Sequence, residues 1–363
     1  MSTTNIRATK RRWMLTRAWY FAATACMFIL AACGGTTQAA QPSSTPSSSP
    51  ARNYGLAALA GYQISLFASS TSSYSQPDSL VVDGDHVFIG YQNGAAKDGT
   101  DNKTSTIVEY TMDGKVVKTY SMPGHSDGMR IDPATKLLWV TSNEDANPKM
   151  ETIDTASGTV TPYTFPPTPH GGGYDDVYFL NGMAFIAASN PTLDKNGSNP
   201  FPALDKVTLS NGKATLIPVL MGNASAQDPV AKAKVTLNEV DPDSLTSDTN
   251  GNLILINQAG SEIVTISNPG TPQQQVTRLP VGTQLDDTVW ATSAKGRLLV
   301  SDGSTGLTFW IRPTHFVTGT IYTETPDDSG VAGFVGVVDS ATGIISPVVI
   351  GFSKSTGMLF VPD

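Results

Sequence analysis

Cysteine is nearly missing from this 363-residue chain: the two present, Cys26 and Cys33, both precede residue 34. A domain built from the remainder has no disulfide, no thiolate nucleophile and no cysteine-held metal. Helical signal is missing too, since no window alternates apolar and polar residues with an amphipathic helical period. Beyond the first 32 residues no apolar run approaches the roughly 20 residues that cross a bilayer. Positive charge is thin in the same region: 18 of the 23 basic side chains remain against 31 acidic ones, a formal charge of −13 where the whole chain has −8. A surface that acidic repels phosphate backbones. Nucleic acid is therefore excluded as a partner, and divalent cations or neutral and cationic ligands are favoured.

What is present at the start of the chain is an address. The first residues carry Arg7, Lys10, Arg11, Arg12 and Arg17 with no acidic side chain, then run apolar through "AWYFAATACMFIL" to Ala31 and Ala32. This is the pattern of an export signal. "LAAC", Leu30 to Cys33, resembles the lipobox of bacterial lipoproteins, which implies cleavage before Cys33 and acylation of that cysteine. Gly34 in place of Asp after the cysteine implies sorting to the outer membrane of the cell envelope, with lipid the single membrane attachment. "TTQAAQPSSTPSSSPARN" has almost nothing to bury and reads as a solvated tether. The expected domains are a signal peptide over 1–32, a tether over 33–53 and a globular body, expected to be monomeric, over 54–363.

The body repeats. "PDSLVVDGDHVFIGYQN", "SDGMRIDPATKLLWVTSN", "DDVYFLNGMAFIAASN", "PDSLTSDTNGNLILINQ" and "DDTVWATSAKGRLLVSD" each contain an acidic residue, an apolar strand, a turn and a second apolar strand. In the third, Asn181-Gly182 marks a two-residue hairpin link. Aligned on Asp78, Asp127, Asp176, Asp243 and Asp287, the segments are spaced by 49, 49, 67 and 44 residues, periods that suit four-stranded propeller blades. More polar strand pairs lie between them. The expected fold is all-β: a six-bladed β-propeller with four-stranded blades. "GFSKSTGMLFVPD" supplies the inner hairpin of the sixth blade, and "YQISLFAS", with "GLAALA", supplies its outer strands, so that both chain ends close the ring. Residues 191–240 and 303–333 read as long insertions. The second places Phe309, Trp310, Phe316 and Tyr322 within reach of a ligand.

"GHSDG", Gly124 to Gly128, imitates the Gly-x-Ser-x-Gly nucleophile elbow. An elbow needs a strand before its serine and a helix after it, whereas Ser126 is followed by strand, turn and strand. "HGGG" from His170 imitates an esterase oxyanion loop but follows the serine rather than preceding it. The aspartates have more to offer. Inner strands of a propeller run in one direction around the axis, so residues just before them meet at one mouth of the channel. Crowded carboxylates raise one another's pKa or recruit a cation, and oxygen-only ligands suit Ca²⁺, the expected ion, or Mg²⁺. The alternative is that each aspartate caps its own turn.

"SDGMRIDPATKLLWV" resembles the Asp-Gly-hydrophobic strand opening of the gluconolactonase and regucalcin (senescence marker protein) family of six-bladed propellers, with NHL-repeat propellers as wider relatives. That resemblance implies a metal-ligating role for Asp127. The family's Asn-Gly-Leu asparagine has no counterpart, and Asp78 or Glu239 stands in for its early glutamate. The implied function is a propeller that binds a small molecule at the channel mouth and hydrolyses a lactone or ester with a divalent cation on Asp127 and some of Asp78, Asp176, Asp243 and Asp287. His125 and His170, both before inner strands, are the expected bases; His86 faces the other side and His315 falls in the second insertion. The rival is a noncatalytic scaffold that holds a protein or glycan partner of the cell envelope through its insertions. With four histidines and no arginine pair, a quinone-cofactor dehydrogenase is the weakest reading.

Overall fold

The computed structural model describes residues 54–327 and 330–363. The signal peptide, Cys33 and the tether lie outside the described residues. Among the described residues there is no α-helix, and almost every strand pairing is antiparallel.

Most of the described strands fall into six antiparallel groups of four, given below as blades from the inside outward. Blade I comprises Pro77–Asp83, His86–Tyr91, Thr104–Thr111 and Val116–Pro123; blade II, Ser126–Ile131, Leu138–Ser142, Lys149–Asp154 and Thr159–Thr164; blade III, Val177–Leu180, Met183–Ala187, Pro202–Ser210 and Lys213–Met221; blade IV, Pro242–Ser247, Leu253–Asn257, Glu262–Ser267 and Gln275–Pro280. Blade V is built from Thr288–Trp290, Ile321–Thr325, Gly333–Val338 and Ile345–Phe352, and blade VI from Ser355–Pro362, Gly296–Asp302, Leu307–Pro313 and Tyr62–Ser69. The innermost strands touch in a closed cycle, I to VI and back to I. The fold is a β-propeller.

Strand period explains why the ring holds. Successive side chains on a strand face opposite sides, so each blade feeds two interfaces. Leu80, Val87 and Ile89 of blade I pack with Leu299 and Trp310 of blade VI, while Val81 and Phe88 pack with Met129, Leu138 and Val140 of blade II. Similar clusters join II to III, III to IV, IV to V and V to VI. There is no central core; six apolar wedges stand between neighbouring sheets, in the manner of face-to-face sheet packing.

Closure differs from the expected arrangement. "DDTVWATSAKGRLLVSD" is not one hairpin: Thr288–Trp290 is the inner strand of blade V, and Gly296–Asp302 pairs with Ser355–Pro362 in blade VI. From blade V the chain crosses into blade VI for two strands, returns to blade V for three and ends in blade VI. Ser355–Pro362 is therefore a single inner strand and not a hairpin. Tyr62–Ser69 does form the outer strand of blade VI, but Ala57–Ala58 from "GLAALA" joins the edge of blade V. The second expected insertion supplies the blade strands Leu307–Pro313 and Ile321–Thr325, and Phe309, Trp310, Phe316 and Tyr322 are buried between V and VI or VI and I rather than offered to a ligand. Of residues 191–240, Pro202–Ser210 and Lys213–Met221 complete blade III. The surplus is one hairpin, Ser225–Asp228 with Ala233–Thr236, attached to blade IV by a parallel bridge.

Because Ser355–Pro362 lies between the inner strands of I and V, deleting it should abolish cooperative unfolding. A single sharp thermal transition of the truncated chain, followed by circular dichroism, would show that the ring does not need that strand.

Candidate functional site

Each inner strand opens with a β-bulge, and the bulges create the site. In blades I, II and IV the pairing register slips between Pro77 and Leu80, Ser126 and Met129, and Pro242 and Leu245. Two residues thus oppose one partner and the strand re-aims their side chains. In blade III the Asp175 amide and the Asp176 carbonyl both bond to Ala187, and in blade V the Asp286 amide and Asp287 carbonyl both bond to Glu324. The first bulge residues are Asp78, Asp127, Asp175, Asp243 and Asp286, with Thr356 in blade VI.

That register corrects the sequence alignment at two positions. Asp176 and Asp287 are second bulge residues, equivalent to Gly128 and Ser244, and a one-residue slip sends a side chain elsewhere. Asp176 Oδ2 accepts from Arg130 Nη2 at 2.9 Å and from the Leu245 amide at 3.0 Å, while its Oδ1 accepts from the Val177 amide at 2.8 Å. Asp287 Oδ2 accepts from the Met358 amide at 2.8 Å. These carboxylates stitch neighbouring blades together and are spoken for as ligands. Gly128 shows the crowding here, since a Cβ at that position would overlap the Cα of Asp176. Arg130 also donates to the Leu245 carbonyl at 3.0 Å and lies 5.0 Å over the Tyr178 ring, tying blades II, III and IV across the channel.

Of the first bulge residues, Asp78, Asp127, Asp243, Asp286 and Thr356 line a vestibule of about 290 Å³ together with Glu144, Asp241, Lys97 and Lys354, while Asp175 lines a smaller cavity that shares Asp78, Asp127, Asp243 and Asp286. Burial raises the carboxyl pKa values, and neighbouring carboxylates add to it. Asp78 is pushed up to about 7 by burial first and Glu144 second, against the lowering effect of its hydrogen bond with Asp127. Asp127, Asp175, Asp243 and Asp286 are all pushed well above the usual range, with burial the largest cause. Asp175 and Asp243 interact carboxyl to carboxyl, which raises Asp175 further and eases the rise of Asp243. Glu144 is the exception: burial pulls it upward, but the Lys97 ammonium in contact with it prevails and holds it at about 2.

His125 lies at the edge of the same cluster. Asn143 clamps it from both sides: the Asn143 amide donates to the His125 carbonyl at 2.8 Å, and Asn143 Oδ1 accepts from the His125 amide at 3.0 Å. The ring is 5% exposed, and burial lowers its pKa, so it is neutral. A ring nitrogen of His125 and carboxylate oxygens of Asp127 and Glu144 lie within 4.8 Å of one another. Nε2 of His125, Oδ2 of Asp127 and Oδ2 of Asp243 are buried with no hydrogen-bond partner. Buried polar atoms left bare are costly unless something meets them, and the bare His125 Nε2 and Asp127 Oδ2 beside the Glu144 carboxylate fit a divalent cation.

The other histidines are elsewhere. His170, expected as an alternative base, is packed edge-on against Tyr174, and its Nε2 donates to the Gly173 carbonyl at 2.8 Å. It does not line the vestibule. His86 pairs with Glu109 of its own blade. Ser126 Oγ contacts no base: its amide donates to Ser105 Oγ at 2.7 Å, and its hydroxyl is buried without a partner. Glu239, a stand-in for the family's glutamate, is buried beside Glu262 and Arg278 rather than at the mouth. The sequence reading missed Glu144, Asp241, Lys97 and Arg130. "SNEDANPK" ends a blade strand in an acidic pair, and residues that close an inner hairpin on the mouth side were as eligible as those that open it.

No protein-family model matches the chain, and no curated protein matches it. Solved structures to which it is similar include virginiamycin B lyase from Staphylococcus aureus, at 13% identity and TM-score 0.42 over 78% of this chain and 87% of that one. A candidate 6-phosphogluconolactonase from Bacteroides uniformis matches at 12% identity and TM-score 0.45 over 78% and 73%. A candidate gluconolactonase matches at 12% identity and TM-score 0.47 over 84% and 90%. The fold described above rests on strand pairing and packing, not on these likenesses.

Acids whose folded pKa exceeds the unfolded value bind protons on folding, so stability falls as pH rises from about 4 through the folded value. In EDTA, the melting temperature should drop by several degrees between pH 5 and pH 8, and Asp78→Asn should flatten that drop. An Asp78→Asn protein with an unchanged slope would show that the carboxyl is not held above its ordinary range.

Proposed function

We propose that this chain is an extracytoplasmic, lipid-anchored propeller that binds a small molecule at its acidic channel mouth and hydrolyses a lactone or ester there with a divalent cation. The observation that carries the reading is the convergence of Asp78, Asp127, Asp243 and Asp286 on one vestibule while Asp127 and Asp243 keep a buried oxygen free of any donor. The resemblance of Ser126 to Val140 to the gluconolactonase and regucalcin family adds the expectation of a ligand role for Asp127. The rival reading is a scaffold that binds a protein or glycan through its insertions; the aromatics Phe309, Trp310, Phe316 and Tyr322 of the second are packed between blades and do not support it.

In this mechanism Asp127, Glu144 and His125 hold the cation, which when bound supplies Lewis acidity toward the substrate carbonyl. The Asp175 and Asp243 pair handles proton transfer. Asp243, with its bare Oδ2, takes a proton from the water that adds to the carbonyl carbon; Asp175 returns a proton to the alkoxide oxygen when the acyl carbon–oxygen bond breaks. The products are the acid and the alcohol, or one hydroxy acid from a lactone. The vestibule's negative charge favours neutral or cationic substrates.

Hydrolysis of simple lactones or aryl esters by the detergent-solubilised full chain should be abolished by EDTA, restored by added metal, and reduced at least a hundredfold by Asp127→Ala. Turnover that survives in Asp127→Ala removes this mechanism. Separately, Cys33→Ser should eliminate incorporation of labelled fatty acid and release the protein from the membrane fraction, and persistent labelling would dispose of the anchor.

A further inference from the structure

We propose that His125, Asp127 and Glu144 form a site for a dication of the Mn²⁺ to Zn²⁺ class, and that Lys97 is a tethered cation occupying Glu144 until that ion displaces it. This rests on the metal in the reading above but not on hydrolysis.

The imidazole is arranged as a ligand. Its Nδ1 lies 2.7 Å from the Ala95 carbonyl oxygen, and a carbonyl only accepts, so the proton is on Nδ1. Nε2 therefore carries an unshared pair, and it is buried with no donor to meet it. A metal-bound histidine is held in the same way, with its second nitrogen donating to a carbonyl or carboxylate that fixes tautomer and orientation. The Asn143 clamp fixes the backbone on either side. Ligand atoms around one small dication at about 2.1 Å stand roughly 3 to 4 Å apart, and the three donors here lie within 4.8 Å of one another. Small side-chain rotations close that gap.

The donor set also selects. Ca²⁺ takes six to eight oxygens, whereas an imidazole with two carboxylates suits borderline first-row ions. The oxygen-only expectation of Ca²⁺ arose from the aspartates alone, before a nitrogen was placed beside them.

Lys97 completes the argument. Its side chain is 53% exposed and its Nζ contacts Glu144 Oε1. The ammonium thus occupies one of the three proposed ligands, and it stands on an exposed stem in a turn-rich segment, able to swing to solvent. A dication and an ammonium compete for the single negative charge of Glu144, so the lysine sets a threshold for loading.

The test is isothermal titration of the metal-stripped full chain in detergent with MnCl₂, ZnCl₂ and CaCl₂, and the same for Lys97→Met, Glu144→Gln and His125→Gln, each checked for its melting transition. Wild type should bind Mn²⁺ or Zn²⁺ at least tenfold more tightly than Ca²⁺. Lys97→Met should tighten Mn²⁺ about tenfold further, and Glu144→Gln and His125→Gln should weaken it a hundredfold. Equal or weaker Mn²⁺ binding by Lys97→Met overturns the lysine's role; that exposed substitution keeps the fold, so the result is decisive even where a buried variant unfolds. Ca²⁺ binding most tightly, or wild-type affinity in folded Glu144→Gln, overturns the site. A protein that binds Mn²⁺ as described yet hydrolyses nothing leaves this inference standing and removes the hydrolase reading alone.

Discussion

Burial of apolar surface between neighbouring blades is the constraint from which everything else follows. Each strand sends alternate side chains to alternate neighbours, as Leu80 and Val81 do, so no blade can satisfy both faces alone and the ring must close. Closure then brings together six strand starts at one mouth of one channel. Five of those starts carry aspartate at the same bulge position, with Thr356 at the sixth. Like charges would not assemble this way unaided; the wedges hold them there. The electrostatic cost appears as carboxyl pKa values forced upward.

Two cations relieve that strain in different ways. Arg130 is enclosed and answers Asp176 and two backbone carbonyls, which makes it part of the frame. Lys97 is peripheral and answers Glu144 from a half-exposed stem. The first has nowhere to go, whereas the second has solvent beside it. A cluster whose inner counter-ion is fixed and whose outer one is loose is stable enough to persist and open enough to exchange.

The repeats made the all-β propeller legible, because apolar periodicity and turn residues are local signals. Asp78, Asp127 and Asp243 were legible for the same reason, each followed after one residue by the buried Leu80, Met129 or Leu245. Where two aspartates adjoin, as in Asp175-Asp176 and Asp286-Asp287, residue type could not say which one the bulge points at the mouth. Aligning on the apolar residue Val177 resolves the first pair; in the second the equivalent position is the polar Thr288, and the apolar Val289 points to the wrong aspartate. The last two blades were misread for a different reason: strand exchange between V and VI is a long-range pairing that leaves no local mark. Glu144 and Lys97 were missed because loops on the mouth side have no period to betray them.

That exchange bears on the birth of the molecule. Blade V starts at Thr288 and is finished by strands after residue 320, while the innermost strand of blade VI is written into the final nine residues. Until Ser355–Pro362 has been made, Tyr62–Ser69 and Gly296–Pro313 have no innermost neighbour, and the first and fifth blades face an open gap. Early strands that wait for a late one stay unfinished through most of folding. Their sheet edges need shielding for that time, and a chain without Ser355–Pro362 is an open, adhesive crescent in place of a ring.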